Sequence, residues 1–286
     1  MRTKNRFFMV PLIALCFIAA AGTPARAGNI RIRFGACDWT IGRTGDPGAL
    51  DLAKALGLEG VQASIEVKGD TIPLLDPEFR SAYAEAVKRT GVQIASLAIG
   101  QLNDIPYKSD PRAERILDQG VDIAKAMGVK IILVPFFGKG DLRNDPAGTA
   151  VVIERLKRLA PKAEKAGVIL AIESMLSAGD HVKILDAVGS PAVGIYYDVG
   201  NSQEAGYDIF REIRDLGGKI CQFHAKDTKD LYGKGSMDFA AVRKAMEDIG
   251  YSGWFVLEGT KLPLGMKQSM RYDLEYLRTV FPVVSN

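Results

Sequence analysis

Residues 167–201 read GVILAIESMLSAGDHVKILDAVGSPAVGIYYDVGN. An apolar run from Val168 to Glu173 is followed by an amphipathic segment closing on Gly189, and a second apolar run, Val193 to Asp198, comes directly after. Two short apolar runs separated by a helix-length amphipathic segment are the pattern of a βα unit on a parallel sheet, whose strands are buried on both faces. Both runs end in a carboxylate, Glu173 and Asp198.

The alternation continues on either side. Further strands are expected at Ile30 to Cys37, Gly60 to Ile65, Val92 to Ala98, Lys130 to Pro135, Lys219 to His224 and Trp254 to Glu258, eight in all. Asp46-Pro47, Asp76-Pro77, Asp110-Pro111 and Asp145-Pro146 each set an N-cap acceptor before a proline at the first helical position. Gly57, Gly91, Gly128, Gly167, Gly189, Gly217 and Gly250 stand where left-handed C-caps lead into the next strand. Eight such units with no linker predict a single-domain α/β fold, the (β/α)8 TIM barrel. A doubly wound sheet is disfavoured because Gly35-Ala36-Cys37-Asp38 stands where its Gly-x-Gly-x-x-Gly turn belongs. In a barrel the chemistry lies at the C-terminal ends of the strands.

The chain has 286 residues and a formal charge of +3. Its first 27 residues hold Arg2, Lys4, Arg6 and Arg26 and no acid. A basic start, an apolar run from Phe7 to about Ala21 and the small residues of Ala25-Arg26-Ala27 read as a cleavable signal peptide over residues 1–27, with Gly28 as the mature N-terminus. Without that leader 33 bases face 34 acids, so no basic surface for nucleic acid is expected. Residues 28–286 are then the barrel, exported to the periplasm or beyond, with no membrane attachment after cleavage and with a homo-oligomer compatible with its size. Cys37 and Cys221 fall in expected strands and read as buried small residues rather than a disulfide pair.

Four consecutive strands finish in residues able to coordinate a cation: Glu173, Asp198, His224 and Glu258, separated by 25, 26 and 34 residues. Each spacing is one βα unit, so the four side chains converge above the barrel. Gathered carboxylates raise one another's pKa unless a cation neutralises them. Three carboxylates and one imidazole without a thiolate suit one divalent metal ion, Mn²⁺, Mg²⁺ or Co²⁺, better than structural zinc. The chain has two histidines, and His181, in the helix start after strand 5, reads as a surface residue. A multi-histidine zinc centre is excluded.

At these residues the chain resembles the sugar isomerase and epimerase superfamily with the xylose isomerase-like barrel. The resemblance rests on Ile172-Glu173, on Gly189-Ser190-Pro191 followed by Tyr197-Asp198-Val199-Gly200-Asn201, on His224-Ala225-Lys226-Asp227, and on Gly253 to Glu258. It implies that Glu173, Asp198, His224 and Glu258 bind one metal and that Glu173 and Glu258 are the catalytic acid/base pair. The implied activity is isomerisation or epimerisation of a keto-sugar through an enediolate. The chain departs from the ketose 3-epimerases at three places, with Asn201 in place of a histidine, Gly179 in place of a glutamate, and Gln62 where glutamate is frequent. Trp39, Gln62, Lys139, Asn201 and Lys226 are the candidate substrate-binding residues. Export points to an unphosphorylated sugar or glycoside. The same enediolate with a β leaving group makes a lyase acting on a 3-keto-glycoside or keto-cyclitol the second reading, and a non-catalytic sugar-binding barrel the third.

Overall fold

The computed structural model describes residues 30–259 and 261–282. The leader expected at residues 1–27 lies outside them. Eight parallel strands close into one barrel in chain order. They are β1 (Ile32–Cys37), β2 (Gly60–Ser64), β3 (Gln93–Ala98), β4 (Ile131–Phe136), β5 (Ile169–Ser174), β6 (Val193–Asp198), β7 (Ile220–Ala225) and β8 (Gly253–Leu257). Closure runs through β1 and β8, paired from Ile32 with Gly253 to Ala36 with Leu257.

The helices are α1 (Ala49–Leu56), α2 (Pro77–Thr90), α3 (Pro111–Met127), α4 (Pro146–Ala166), α5 (Ala178–Val188), α6 (Val199–Glu204), α7 (Ile209–Leu216), α8 (Phe239–Asp248) and α9 (Met266–Val280). Three of the four Asp-Pro starts cap as expected: Asp76, Asp110 and Asp145 accept from the backbone N–H of Glu78, Arg112 and Gly148. Asp46 differs. Helix α1 begins later, behind Gly48, and Asp46 instead accepts from Gly48 N at 2.7 Å within the approach turn. Gly57, Gly91, Gly128, Gly167 and Gly189 are left-handed C-caps. Gly217 takes positive φ outside that region, and Gly250 lies one residue past the cap of α8.

The main apolar core packs the outer faces of the strands against the helices. The interior differs, because polar side chains meet there across the barrel. Gln62 of β2 reaches His224 of β7, and Ser96 of β3 reaches Gln222 of β7, contacts between strands that are not neighbours in the sheet. Small apolar groups fill in around them, Ala98, Leu133 and Ala171 beside Tyr196. Both cysteines are free. Cys37 is fully buried as expected, packed with Ala95, Trp254 and Val256 while its thiol meets Gln62, whereas Cys221 is only half-buried. No helix among the described residues is long and apolar enough to cross a membrane.

Candidate active site

Glu173 is the penultimate residue of β5, Asp198 ends β6, His224 is penultimate in β7, and Glu258 follows the last residue of β8. Register brings them level. Asp198 pairs with His224, and His224 with Val256, two residues before Glu258. His224 Nδ1 lies 2.9 Å from Glu173 Oε1, 3.6 Å from Asp198 Oδ2 and 3.8 Å from Glu258 Oε2. One donor atom from each of the four residues lies within 4.8 Å of all the others. Glu173, Asp198 and His224 are buried, and Glu258 is partly exposed at the mouth.

Asp198 has two tasks. Its Oδ1 accepts from Asn201 N at 2.8 Å and so caps α6, while its buried Oδ2 has no hydrogen-bond partner. A buried carboxylate oxygen without a donor is costly unless a cation sits against it. Lys226 Nζ contacts Glu258 Oε2 at 2.7 Å and stands 3.6 Å from that orphan oxygen. Trp39 Nε1 donates to Glu258 Oε1 at 3.2 Å, so both oxygens of Glu258 are held.

The electrostatics follow from burial against neighbours. Burial pushes the Glu173 carboxyl up to about 7, with His224 opposing and Glu258 and Asp198 adding to the rise. Burial acts on Asp198 as well, but Lys226 and His224 outweigh it and hold that carboxyl down at about 2. Burial opposes a charged His224, yet Tyr196, Cys37, Glu173 and Glu258 raise it well above its ordinary value. Three carboxylates around one imidazole, with an orphan oxygen facing inward, fit a divalent cation held by Glu173, Asp198, His224 and Glu258.

Above the cluster opens a cavity of about 380 Å³. Trp39, Asn201 and Lys226 line it together with Glu173 and Glu258, as do Thr44, Gln101 and Asn103. Its other wall is apolar, formed by Ala98, Leu133, Pro135 and Phe137. Two expected substrate residues lie elsewhere. Lys139 is 70% exposed, faces Asp104 at 3.9 Å and is not part of the lining. Gln62 is wholly buried beneath the cluster, its Oε1 2.7 Å from His224 Nε2. His181 is also corrected. It is buried rather than on the surface, its Nε2 is 2.8 Å from Ser174 Oγ, and burial lowers its pKa to about 4.

Tyr196 and Gln222, which pack beneath the cluster, are absent from the sequence-based expectations. Their signal was period-2 alternation: each stands two residues before a ligand, Asp198 or His224, and so faces the same side of its strand. The lining residues Thr44 and Phe137 come from loops, and Gln101 and Asn103 from a four-residue 3-10 turn after β3, where no periodicity marks them.

Comparison with known proteins agrees with this geometry. The family model described as xylose isomerase-like TIM barrel matches residues 50–280. L-ribulose-5-phosphate 3-epimerase UlaE of Escherichia coli (strain UTI89 / UPEC) is 26% identical over 227 residues, covering 73% of this chain and 80% of the relative. Among solved structures, 3-keto-D-glucoside 4-epimerase YcjR from E. coli superposes with a TM-score of 0.73 at 18% identity, over 87% of this chain and 100% of that one. D-psicose 3-epimerase from Clostridium cellulolyticum H10 gives 0.73 at 14% identity, over 87% and 99%. With its barrel closed, its four-residue cluster at the strand ends and most of its length matched, the chain belongs to the xylose isomerase-like TIM barrel family.

Proposed function

We propose that this protein is a divalent-metal-dependent epimerase or isomerase of an unphosphorylated keto-sugar or sugar derivative, working through an enediolate. The observation that carries the reading is the convergence of Glu173, Asp198, His224 and Glu258 under one cavity. Mn²⁺, Mg²⁺ and Co²⁺ suit the oxygen-rich donor set. A bound cation supplies Lewis-acid stabilisation of negative charge developing on neighbouring substrate oxygens.

The side chains supply the proton traffic. Glu173, which lines the cavity from the end of β5, is one acid/base group. Glu258, steadied by Lys226 and Trp39, is the second acid/base group. One carboxylate takes the proton from the carbon next to the carbonyl, and the electron pair moves into the enediolate. Return of a proton from the other face gives the epimer, and return to the adjacent carbon gives the isomer. Trp39 and Asn201 contact the sugar, and Lys226 orients its oxygens.

The wall chemistry supports a substrate without phosphate. Lys226 is the one cationic side chain in the described lining, and it is already engaged by Glu258 and Asp198. A phosphate dianion calls for several charged donors, and one lysine shared with two carboxylates does not supply them. The 5-phosphate in the name of the curated relative therefore does not carry over. The leader expected at residues 1–27 supports the same substrate, since an exported chain meets unphosphorylated sugars and glycosides. Cell fractionation with mass analysis should find the chain outside the cytoplasm with Gly28 at its N-terminus, and the full-length chain recovered from the cytoplasm overturns the export reading.

The apolar wall of Leu133, Pro135 and Phe137 favours elimination as a second reading, because it suits the aglycone of a 3-keto-glycoside. The test is incubation in D₂O with Mn²⁺ and a panel of ketoses, ketose phosphates and 3-keto-glycosides, followed by NMR. Deuterium at the substrate α-carbon with an epimer or isomer is expected. An unsaturated product with released aglycone transfers the protein to the lyases. Exchange on the ketose phosphates alone overturns the unphosphorylated substrate, and absence of α-proton exchange on the whole panel overturns the enzyme reading and leaves a sugar-binding barrel.

A further inference from the structure

Of the two imidazole nitrogens of His224, only Nδ1 faces the carboxylates, and it can serve a cation only as a bare lone pair. That requires any ring proton to sit on Nε2, which points down into the barrel. There Gln62 Oε1 stands 2.7 Å away, and both residues are fully buried. We propose that Gln62 is the positioning residue of the metal site, its amide oxygen holding His224 as the Nε2–H tautomer so that Nδ1 is presented to the ion. The inference rests on the metal reading above and gives Gln62 a role other than substrate contact.

The rest of the buried layer sets which end of the Gln62 amide faces His224. Gln62 Nε2 donates to Ser96 Oγ at 3.0 Å, and Ser96 accepts in turn from Gln222 Nε2 at 2.9 Å. Gln222 Nε2 also donates to Tyr196 Oη at 2.9 Å, and the Tyr196 ring packs on the imidazole with centroids 4.3 Å apart. From the other side the Cys37 thiol donates to Gln62 Oε1 at 3.3 Å. Turning the amide over would point N–H groups at both the thiol and Nε2. The imidazole would have to move its proton to Nδ1, against the cation, and its bare Nε2 would then be met by both the turned amide and the Cys37 thiol, whose Sγ lies 3.4 Å from it. Cys37, Gln62, Ser96 and Gln222 are 0% exposed and Tyr196 1% exposed, so bulk water does not take over a lost contact. Fixing the tautomer of a ligand histidine through its second nitrogen is a general way to tune a metal site.

The test uses the whole mature chain with Gln62→Met, which keeps length but removes the acceptor, and Gln62→Glu, which keeps an acceptor. Mn²⁺ affinity is read by EPR titration. With only two histidines in the chain, long-range ¹H–¹⁵N spectra of the Mg²⁺-loaded protein report the His224 tautomer directly. The expected result is Nε2–H in the wild type, about 10–100-fold weaker Mn²⁺ binding in Gln62→Met, and near wild-type affinity in Gln62→Glu. A wild-type spectrum showing Nδ1–H, or Gln62→Met binding Mn²⁺ as tightly as wild type, overturns the proposal. The tautomer is read on the wild type, so the test survives a variant that does not fold. A wild type that binds no Mn²⁺ overturns the metal reading itself, and this inference with it.

Discussion

Trp39 shows how a single side chain changes meaning once its neighbours are known. Read from the sequence it is a candidate substrate-binding residue, whereas in the fold its indole N–H also donates to Glu258 Oε1 at 3.2 Å. A hydrogen bond to a charged group is worth about 1.5–3 kcal/mol, so Trp39→Phe should lower kcat by roughly 10–100-fold. Mn²⁺ affinity should stay close to wild type, because Lys226 still holds the other oxygen of Glu258. Steady-state kinetics beside a metal titration separate the two, and a purely stacking Trp39 would instead raise KM with kcat unchanged. At this scale the four clustered residues, Glu173, Asp198, His224 and Glu258, were legible because each ends an apolar run at one repeat spacing. Gln62 was visible but misread, because nothing local says that a strand residue faces a histidine across a barrel. His181 was misread for a like reason: a histidine at a helix start looks exposed until Ser174 and the packing of α5 enclose it.

Among the elements, the short helix α6 carries the most functional consequence. It starts directly after Asp198, and its second residue, Gly200, lies against the loop that bears Lys226. A Cβ at Gly200 would come 2.7 Å from Lys226 Cγ and 3.0 Å from the Lys226 backbone oxygen. Gly200→Ala should therefore displace Lys226 with the fold intact. Misplacement near 1 Å at an active site costs up to about 100-fold in rate, so a substantial loss of kcat/KM with unchanged circular dichroism is expected, and wild-type turnover would show that Lys226 does not depend on this contact. The helix caps give a second comparison. Asp145 caps α4 through Gly148 N at 2.8 Å and also pairs with Lys108 at 2.8 Å. Asp145→Ala should lower the midpoint of urea unfolding. Asp46→Ala should cost less, since Asp46 caps no helix, and equal losses would refute that distinction. The Asp-Pro pairs and the glycines made the longer helices legible. Helix α6, six residues long, leaves too little periodicity to be read.

For the molecule as a whole, the gathered acids tie stability to pH and to metal. Glu173 rises from its ordinary 4.5 to about 7, so in the metal-free protein the folded state holds a proton there that the unfolded chain has released between those values. More protons bound in the folded state means stability falling as pH rises through that window. His224, raised above 6.5, has the same sign at higher pH, since its stabilising contribution is present below 6.5 and is lost as pH climbs through its folded value. Asp198, lowered from 3.8 to about 2, acts oppositely, but only below about 3.8. The chain treated with EDTA should therefore melt at a lower temperature at pH 7 than at pH 5. Added Mn²⁺ should raise Tm more at pH 7, where the ligands give up their protons readily. An equal metal-induced shift at both pH values would contradict the coupling.

By itself the sequence determined the architecture and the four convergent candidate ligands. Apolar period, caps and repeat length are set by residues near one another in the chain, and a sheet of eight such units closes in one way. Tertiary structure alone decided what surrounds those ligands. Barrel closure sets Gln62 against His224, 162 positions away, and brings Trp39 to Glu258, 219 positions away, while leaving Lys139 in solvent. The physical reason is that a side chain's face along a strand is a local matter, whereas the residue it meets across the barrel depends on the register of all eight strands at once.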